Sequence, residues 1–269
     1  MNRILTNALQ VRVAAALLVV TVSWFGSVTT VKATELFLAE AGALPGKLWR
    51  SGASTDVDVI HRRAARPDAA FPHAIMQLNQ NAVGAEGAHY YCSGLDGCLM
   101  HLLNGRNEIM LFEYPGQIRD LATTGEEHTV YFSTAATPQN GEPLADGQIL
   151  RRDMWEGQPS VFATVHQSDV GHNWWGTFAL QDDAIYLATL DSPSRLFRMV
   201  PGEAPQQVFT ENTHAIRGLA ADPQGGFYFT TTSGDAYHTD DFQTVTPILH
   251  GERHWSDVAA QPVVAAPTP

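Results

Sequence analysis

An internal repeat that occurs four times is the feature of this sequence that most constrains its fold. The stretch "IRGLAADPQGGFYFTTT" from Ile216 matches "IRDLATTGEEHTVYFST" from Ile118, and related stretches begin at Ile75 and Thr177. Each consists of an apolar segment, a turn and a segment centred on an aromatic residue: Tyr90, Tyr131, Tyr186 and Tyr228. Repetition of this kind is typical of architectures in which similar units pack side by side.

Two further short segments follow in every repeat. The third segments are "GCLMH", "GQILR", "SRLFR" and "GDAYH", and the fourth are "EIMLF", "SVFATV", "QQVFT" and "TPIL". Such short β-branched and aromatic segments, bounded by Gly, Pro, Asn and Asp, are typical of β-strands. Four short strands per repeat predict the antiparallel blade of a β-propeller.

The two ends of the chain complete the pattern. "ELFLAE", "GKLWR" and "DVDVIH" match the second to fourth segments, with Phe37 in the aromatic position, and "WSDVAAQP" from Trp255 matches the first segment. We therefore predict an all-β fold, a five-bladed β-propeller over residues 34–262, whose C-terminal strand completes the N-terminal blade and removes exposed edges. Residues 263–269 are a Pro/Ala-rich tail.

The first 33 residues predict a secretory signal peptide. Arg3 and Arg12 precede an apolar run that ends near Gly26, and Val31-Lys32-Ala33 has the small-x-small pattern of a cleavage site. The alternative is an uncleaved membrane anchor, but a span needs about 20 apolar residues and this run is shorter. We expect a secreted or periplasmic protein with no stable membrane insertion after cleavage.

The charge of the mature chain restricts its partners. Removing residues 1–33 takes three of the 16 basic residues and none of the 28 acidic ones, which leaves 13 against 28 and a net charge of −15. This charge argues against nucleic-acid partners, because the phosphate backbone is bound mainly by Lys and Arg. We expect a small-molecule or glycan ligand, and the sequence indicates no particular protein partner.

Cys92 and Cys98 are the two cysteines of the chain. In an oxidising compartment, two cysteines this close around Gly94 and Gly97 predict a disulfide that closes a hairpin. The alternatives are free thiols or a thiol pair that binds metal, although C-x5-C is not a usual zinc spacing.

The segment "GLAADPQGGFYFTTT" resembles the blades of the NHL-repeat, gluconolactonase-like and virginiamycin B lyase-like β-propellers. The resemblance covers most of the mature chain as a blade pattern, although those families usually have six or seven blades and this chain indicates five. It implies the propeller fold, whereas function has to be argued from individual sites.

Histidines precede most of the predicted first strands. The four are His73, His172, His214 and His254, and the remaining blade has Gln117 at this position. In a ring these positions converge on the axis, and several imidazoles suit Zn, Cu, Fe, Mn or Ni. We therefore predict a divalent transition metal at the mouth of the central channel. Oligogalacturonate lyases and carotenoid oxygenases, both seven-bladed, are similar in kind because histidines hold their metals. The alternatives are histidines that stitch neighbouring blades together or a metal-free catalytic histidine.

Charged residues recur within the first strands themselves. Asp120 and Asp257 align in one column with Gln77, Thr177 and Gly218, and Arg119 and Arg217 share the adjacent column. One hypothesis is structural Arg–Asp pairing between blades, since charges are rarely buried alone. The other is catalytic: an arginine binds a substrate carboxylate and an aspartate transfers protons.

Three tryptophans lie near the same mouth: Trp174, Trp175 and Trp255. They could stack on a sugar or an aromatic ligand, or pack between blades. The leading functional hypothesis is a small-ligand site that supports metal-assisted lyase, hydrolase or oxygenase chemistry. The alternative is a non-catalytic secreted module that binds a protein or a glycan, so the sequence leaves open whether the protein is an enzyme.

Overall fold

Strand pairing defines the architecture of the molecule. The structure is a computed structural model, and it describes residues 34–40, 47–51, 57–62, 72–78, 88–93, 98–103, 107–114, 118–123, 129–134, 145–153, 157–250 and 255–262. Within these ranges, twenty strands form five antiparallel sheets of four strands each. The predicted all-β fold with four-stranded antiparallel sheets is therefore confirmed. The predicted signal peptide (1–33) and the tail (263–269) lie outside the described residues.

Each sheet runs from the first strand of the repeat to the fourth. The first sheet is β20 (Trp255–Pro262), β1 (Thr34–Glu40), β2 (Lys47–Ser51) and β3 (Val57–Arg62). The second is β4 (Pro72–Leu78), β5 (Ala88–Ser93), β6 (Cys98–Leu103) and β7 (Asn107–Glu113). The third is β8 (Asp120–Ala122), β9 (Thr129–Thr134), β10 (Gly147–Asp153) and β11 (Ser160–Val165). The fourth is β12 (Trp174–Gln181), β13 (Ala184–Thr189), β14 (Ser194–Met199) and β15 (Gln206–Glu211). The fifth is β16 (Ile216–Ala221), β17 (Phe227–Thr231), β18 (Ala236–Thr239) and β19 (Thr246–Leu249). A four-residue helix, α1 (Gln167–Val170), lies between β11 and β12.

The first strands of the sheets contact one another in a cyclic order. β4 contacts β8, β8 contacts β12, β12 contacts β16, β16 contacts β20, and β20 contacts β4. β20 also pairs along its length with β1, so the two ends of the described chain share one sheet. We call the N-terminal ends of the first strands the mouth of this ring and their C-terminal ends its base.

Apolar side chains fill the spaces between successive sheets. One cluster joins the third and fourth sheets around Trp174 and Phe178, and another joins the fourth and fifth around Phe227 and Phe229. Because a sheet in this arrangement is covered on both faces, its inner strands are buried almost throughout, and five of the six residues of β9 are buried.

Two glycines allow the first strands to approach each other closely. A Cβ at Gly218 on β16 would lie 2.6 Å from the Asp257 Oδ1 on β20 and closer still to the Asp257 Cα. A Cβ at Gly176 on β12 would overlap the Arg119 Cβ beside β8. These distances are shorter than any ordinary carbon contact, so each position requires glycine for steric reasons.

Each outermost strand has a β-bulge at the same place in the repeat. The pairing of the third and fourth strands shifts register at equivalent positions in all the sheets that the structure describes. The extra residue is apolar every time: Ile60, Leu111, Phe162, Val208 and Ile248. A bulge twists an edge strand and interrupts its ladder, which hinders pairing with another chain.

Cys92 and Cys98 lie on neighbouring strands, β5 and β6. Cys92 pairs with Leu99, so the two cysteines are offset by one position rather than directly opposite. This register gives the predicted disulfide no support, and the disulfide stays a prediction. Within the described ranges, no helix is long and apolar enough to cross a bilayer.

Candidate functional site

Two buried carboxyl groups meet within the ring of first strands. Asp120 begins β8 and Asp257 lies in β20, and their exposed fractions are 3% and 2%. The Asp120 carboxyl accepts hydrogen bonds from the Leu121 N–H and from the Phe178 N–H of the next sheet, both at 2.8 Å. It also forms a hydrogen bond with the Asp257 side chain. Because a carboxyl–carboxyl hydrogen bond needs a proton on one partner, the pair shares a proton.

Burial raises the pKa of Asp120 to about 8, although the two backbone N–H donors and Asp257 lower it. Removing a carboxylate from water disfavours its charged form, and here that effect exceeds the stabilisation by the hydrogen bonds. At neutral pH Asp120 is therefore mostly protonated. The hypothesis of structural Arg–Asp pairing does not describe Asp120, because its partners are two backbone N–H groups and another aspartate.

The strand register places Asp120 and Asp257, which we call the acid pair, at one level of the ring. The residues that pair with the aromatic of each second strand are Ala122, Ala179, Ala220 and Ala259. Two residues before them, at one common level, lie Asp120, Thr177, Gly218 and Asp257. In β4, Met76 pairs with Tyr90, so the residue at this level is Ala74. The sequence alignment that placed Gln77 in this column is wrong, because the apolar residues before Gln77 match the repeat equally well in two registers.

The two predicted arginines lie one residue nearer the mouth than the acid level. Arg119 is half-buried, and its backbone N–H donates to the Ser133 carbonyl at 2.9 Å. Arg217 is exposed and is the extra residue of a bulge, because Ile216 pairs with Thr231 and Gly218 with Thr230.

The structure describes three of the four predicted histidines. His172 is exposed in the connection before β12, and His214 is half-buried before β16. His73 lies in β4, where the register places it level with Arg119 and Arg217 rather than in a loop before the strand. Gln117 and His254 lie outside the described residues. In the part of the chain that the structure describes, no three His, Cys, Asp or Glu side chains form a group that could hold a metal, so the metal site stays a prediction.

A polar network fixes the connection that carries His172. Gly171 and His172 both have left-handed backbones, with φ of 79° and 66°. The His172 N–H donates to the Gln167 carbonyl at 2.7 Å, and the buried Gln167 amide bonds both backbone groups of Trp174. The Arg195 guanidinium lies against Gly171 and pairs with Asp191 at 2.8 Å. A left-handed non-glycine residue is unfavourable, and these contacts hold it in place.

Trp174 and Trp255 are buried, with exposed fractions of 0% and 2%. The Trp174 Nε1–H donates to the Thr177 carbonyl at 2.9 Å, and the ring packs on Gly147 of the third sheet. A fully covered ring has no face for a ligand, so these contacts favour the packing alternative for Trp174 and Trp255. Trp175 is half-buried and keeps part of its ring accessible.

Two Asp–His pairs lie on the mouth side, and the sequence analysis singled out none of their four residues. The His166 Nδ1 lies 2.6 Å from Asp146, and the His250 Nδ1 lies 3.5 Å from Asp235. Each aspartate immediately precedes the third strand of its sheet, and each histidine immediately follows the fourth. The hydrogen bond raises the pKa of His166 and lowers that of Asp146. The sequence pattern that could have revealed these pairs is the matching position of each aspartate and each histidine in two repeats.

The base of the ring is apolar. A cavity of about 70 Å³ lies there, among residues that follow the acid level in four first strands. It is lined mainly by alanine, leucine and valine, including Ala122, Ala179, Ala220 and Ala259. In the four first strands that line this cavity, Arg119, Arg217 and the pair Asp120–Asp257 therefore lie on the mouth side of it.

Solved structures with this arrangement are β-propellers. The chain resembles a gluconolactonase from Xanthomonas campestris, with 14% identity over 82% of this chain and 78% of that one and a TM-score of 0.50. A virginiamycin B lyase from Staphylococcus aureus has 13% identity over 80% and 73%, with a TM-score of 0.39. A calcium-binding regucalcin from Agrobacterium tumefaciens has 12% identity over 78% and 73%, with a TM-score of 0.45.

The likeness to the gluconolactonase defines the class of the fold, a β-propeller, and it confirms the resemblance predicted from the blade sequence. No protein-family profile and no curated protein sequence matches the chain. At identities this low the likeness is one of fold, and function has to come from the site.

Proposed function

We propose that this chain is a secreted, five-bladed β-propeller that binds a small ligand at the mouth of its ring and acts on it by proton transfer. The observation that carries the proposal is the hydrogen-bonded pair Asp120–Asp257. Two carboxyl groups that share a proton supply an acid and a base side by side.

The protonation state of the pair suits particular reactions. With a pKa of about 8, Asp120 keeps its proton at neutral pH and is available as a general acid. Because the hydrogen bond with Asp257 lowers the pKa of Asp120, it favours the ionised form of Asp120, and the same carboxyl acts as the base once it has given up its proton. Lyase and hydrolase reactions both need one proton removed and another delivered, so the pair favours these two classes over oxygenase chemistry.

The metal hypothesis remains part of the proposal, with His73, His172, His214 and His254 as ligands and Gln117 as a further candidate. It is supported by the position of His172 and His214 at the mouth. The test is elemental analysis of untagged protein against the double variant His73→Ala/His214→Ala, with His250→Ala as an exposed control. Near-stoichiometric metal in wild type and control, but not in the double variant, supports the site. Equal metal content in all three contradicts it.

The test of the acid pair is its accessibility to a small reagent. We expect carbodiimide-coupled glycine ethyl ester to label Asp120 or Asp257 of the folded protein at neutral pH, with exposed Asp169 as the reference. Labelling of either carboxyl at a rate comparable with Asp169 supports a site open to ligands. If both stay unlabelled until the protein unfolds, the pair is a closed structural contact and the proposal fails.

A second candidate is a non-catalytic binding module, and one observation favours it. A cleft of about 750 Å³ lies between the third and fourth sheets, with Phe162 and Arg151 among its lining on one side and Asp182 and Pro201 on the other. Its size and mixed lining are those of ligand pockets. Glycan or protein binding that is lost in Phe162→Ala but kept in Asp120→Asn would support this candidate.

A further inference from the structure

The cleft between the third and fourth sheets has a counterpart between the fourth and fifth sheets. The strand register makes the two places comparable. Tyr131 pairs with Arg151 in the third sheet, and Tyr186 pairs with Arg198 in the fourth. Tyr131 packs in the apolar cluster that joins the third and fourth sheets, and Tyr186 packs on the cluster that joins the fourth and fifth. The two tyrosines therefore hold equivalent positions at successive sheet interfaces.

Between the fourth and fifth sheets, a phenylalanine from a turn covers the tyrosine. Phe242 lies in the turn between β18 and β19, and its ring centroid is 6.0 Å from that of Tyr186 and 5.1 Å from that of Phe227. Its backbone is left-handed, with φ of 58°, which is unusual for a bulky residue. The Phe242 N–H donates to the Thr239 hydroxyl at 2.9 Å, which fixes the turn. The ring contacts offset the cost of this backbone conformation.

Between the third and fourth sheets, a glycine occupies the equivalent turn position. Phe242 is the fourth residue after His238, which pairs with the central tyrosine of the fifth sheet. Gly202 is the fourth residue after Arg198, and the two turns have the same length between their paired ends. Gly202 also has a left-handed backbone, with φ of 89°. Apart from its chain neighbours, no heavy atom of the described residues would lie within 4 Å of a Cβ at Gly202.

The cleft of about 750 Å³ lies at the place that corresponds to the turn phenylalanine. Its lining includes Tyr131 and also Val200, which is two residues before Gly202. Phe162 forms a second aromatic wall, and its ring centroid is 4.9 Å from that of Tyr131, at an interplanar angle of 70°. The size of the cleft and its two rings suit one small planar molecule.

The cleft also has two carboxylates in its lining. Asp182 and Asp183 form the two-residue turn between β12 and β13. Both are exposed, and among the described residues neither side chain makes a hydrogen bond or an ion pair. Arg151, the arginine of the lining, already has an aromatic partner, because its guanidinium lies over the Tyr131 ring at 5.9 Å from the centroid. Ionised carboxylates accept hydrogen bonds and do not donate them, so they favour a ligand that donates.

We propose that this cleft binds a small aromatic amine, whose ring packs against Tyr131 and Phe162 and whose ammonium group lies beside the turn of Asp182. The ligand ring takes the place that Phe242 has at the next interface. This inference rests on the second candidate function, because it uses the same cleft, and it adds a ligand class to glycans and proteins. It does not depend on the acid pair.

The first test compares three probes on the wild-type protein by methyl NMR, read at Leu180 and Val200 in the cleft. The probes are benzylamine, cyclohexylmethylamine and phenylacetate, at constant ionic strength. Benzylamine should shift these signals and bind about fivefold more tightly than cyclohexylmethylamine, because its flat ring stacks on the aromatic walls. Equal affinity for cyclohexylmethylamine overturns the proposal, and so does equal affinity for phenylacetate.

The second test fills the cleft with a ring of the chain itself. Gly202→Phe supplies a phenyl ring as Phe242 does, and it should abolish the benzylamine shifts at Leu180 and Val200. Gly225→Phe is the matched control and should keep them. Gly225 also has a left-handed backbone and no described heavy atom within 4 Å of its Cβ position, but it lies in the turn between β16 and β17. Benzylamine binding that persists in Gly202→Phe contradicts the assignment.

The converse variant, Phe242→Gly, should create a second benzylamine site. The Val245 methyls pack on the aromatic cluster there, and they should shift in this variant but not in wild type. Because Phe242→Gly loses ring contacts, near-UV circular dichroism checks its fold. Phe162→Ala decides independently, since it removes an aromatic wall at a half-buried position and should weaken benzylamine binding about fivefold. Unchanged affinity in Phe162→Ala is incompatible with the proposal.

Failure of this inference is distinguishable from failure of the second candidate function. If a glycan or protein binds wild type but not Phe162→Ala, while benzylamine leaves Leu180 unshifted, the cleft binds ligands and only the ligand class is wrong. If benzylamine binds as expected while no glycan or protein binding depends on Phe162, the cleft takes the small amine alone.

Discussion

The mouth and the base of the ring are built from the same first strands, yet they differ in chemistry. At the mouth, Arg119, Arg217 and the Asp120–Asp257 pair bring charge to neighbouring levels. At the base, the same strands contribute alanine, leucine and valine around a small cavity. The repeat therefore specifies a common backbone, and substitutions at two levels of it create a polar site.

The mouth and the base also differ in where the first strands have β-bulges. The first strands are irregular toward the mouth, as at Arg217 on β16, and pair regularly toward the base. The outer strands have their bulges at apolar residues, at one fixed place in every described sheet. An inner bulge changes where a charged side chain points, whereas an outer bulge blunts a sheet edge.

The largest expected effect comes from a mouth residue that is buried rather than exposed. Trp174→Ala should lower the free energy of unfolding by about 3–5 kcal/mol, because it empties the space between the third and fourth sheets. Trp175→Ala, at a half-buried position, should cost clearly less. Urea denaturation measures both. Equal losses would show that Trp174 is not a packing residue.

The acid pair should make stability depend on pH. The folded pKa of Asp120, about 8, is above its ordinary value of 3.8, so the folded protein binds the proton more tightly than the unfolded chain. Stability should therefore be highest below pH 4 as far as this group is concerned, and should fall by up to about 1.4 kcal/mol per pH unit between these two pKa values. Denaturation of wild type and Asp120→Asn from pH 5 to pH 8 measures the slope. A slope that is the same in both proteins contradicts the raised pKa.

The space available for an added methyl group should differ between the mouth and the base of the ring. Gly218→Ala should cost about 1–3 kcal/mol, because a methyl group there overlaps the Asp257 backbone. Ala122→Val adds carbon beside the base cavity and should cost less. Melting temperatures of the two variants are compared under one condition. A smaller loss for Gly218→Ala than for Ala122→Val would contradict the close approach of β16 and β20.

The smallest effect on stability is expected at the exposed Asp146–His166 pair. The hydrogen bond raises the His166 pKa, so its contribution is present at low pH and is lost as the pH rises through that pKa. Because both side chains are more than half exposed, Asp146→Asn should leave the melting temperature nearly unchanged. NMR titration should show the His166 pKa falling toward its ordinary value. An unchanged His166 pKa contradicts the pairing.

Much of the fold could be predicted from local pattern. The second-strand aromatics Tyr131, Tyr186 and Tyr228 lie where the repeat placed them, and Asp120 and Asp257 share a level as aligned. The register of β4 could not be predicted, because a strand of apolar residues matches the repeat in more than one frame. Asp146–His166 was also missed, since its partners are 20 residues apart and meet only when the third and fourth strands pair.

The sequence by itself determined the strand repeat, the pairing of the C-terminal strand with the N-terminal sheet, and the column that holds the two aspartates. Periodicity and turn residues encode these features locally. Only the tertiary structure decided that Asp120 and Asp257 share a proton, that Trp174 is buried, and that Arg217 is exposed beside the acid pair. These properties depend on the distance between strands far apart in the chain, and burial and hydrogen-bond geometry, not residue type, set the charge of a carboxyl group.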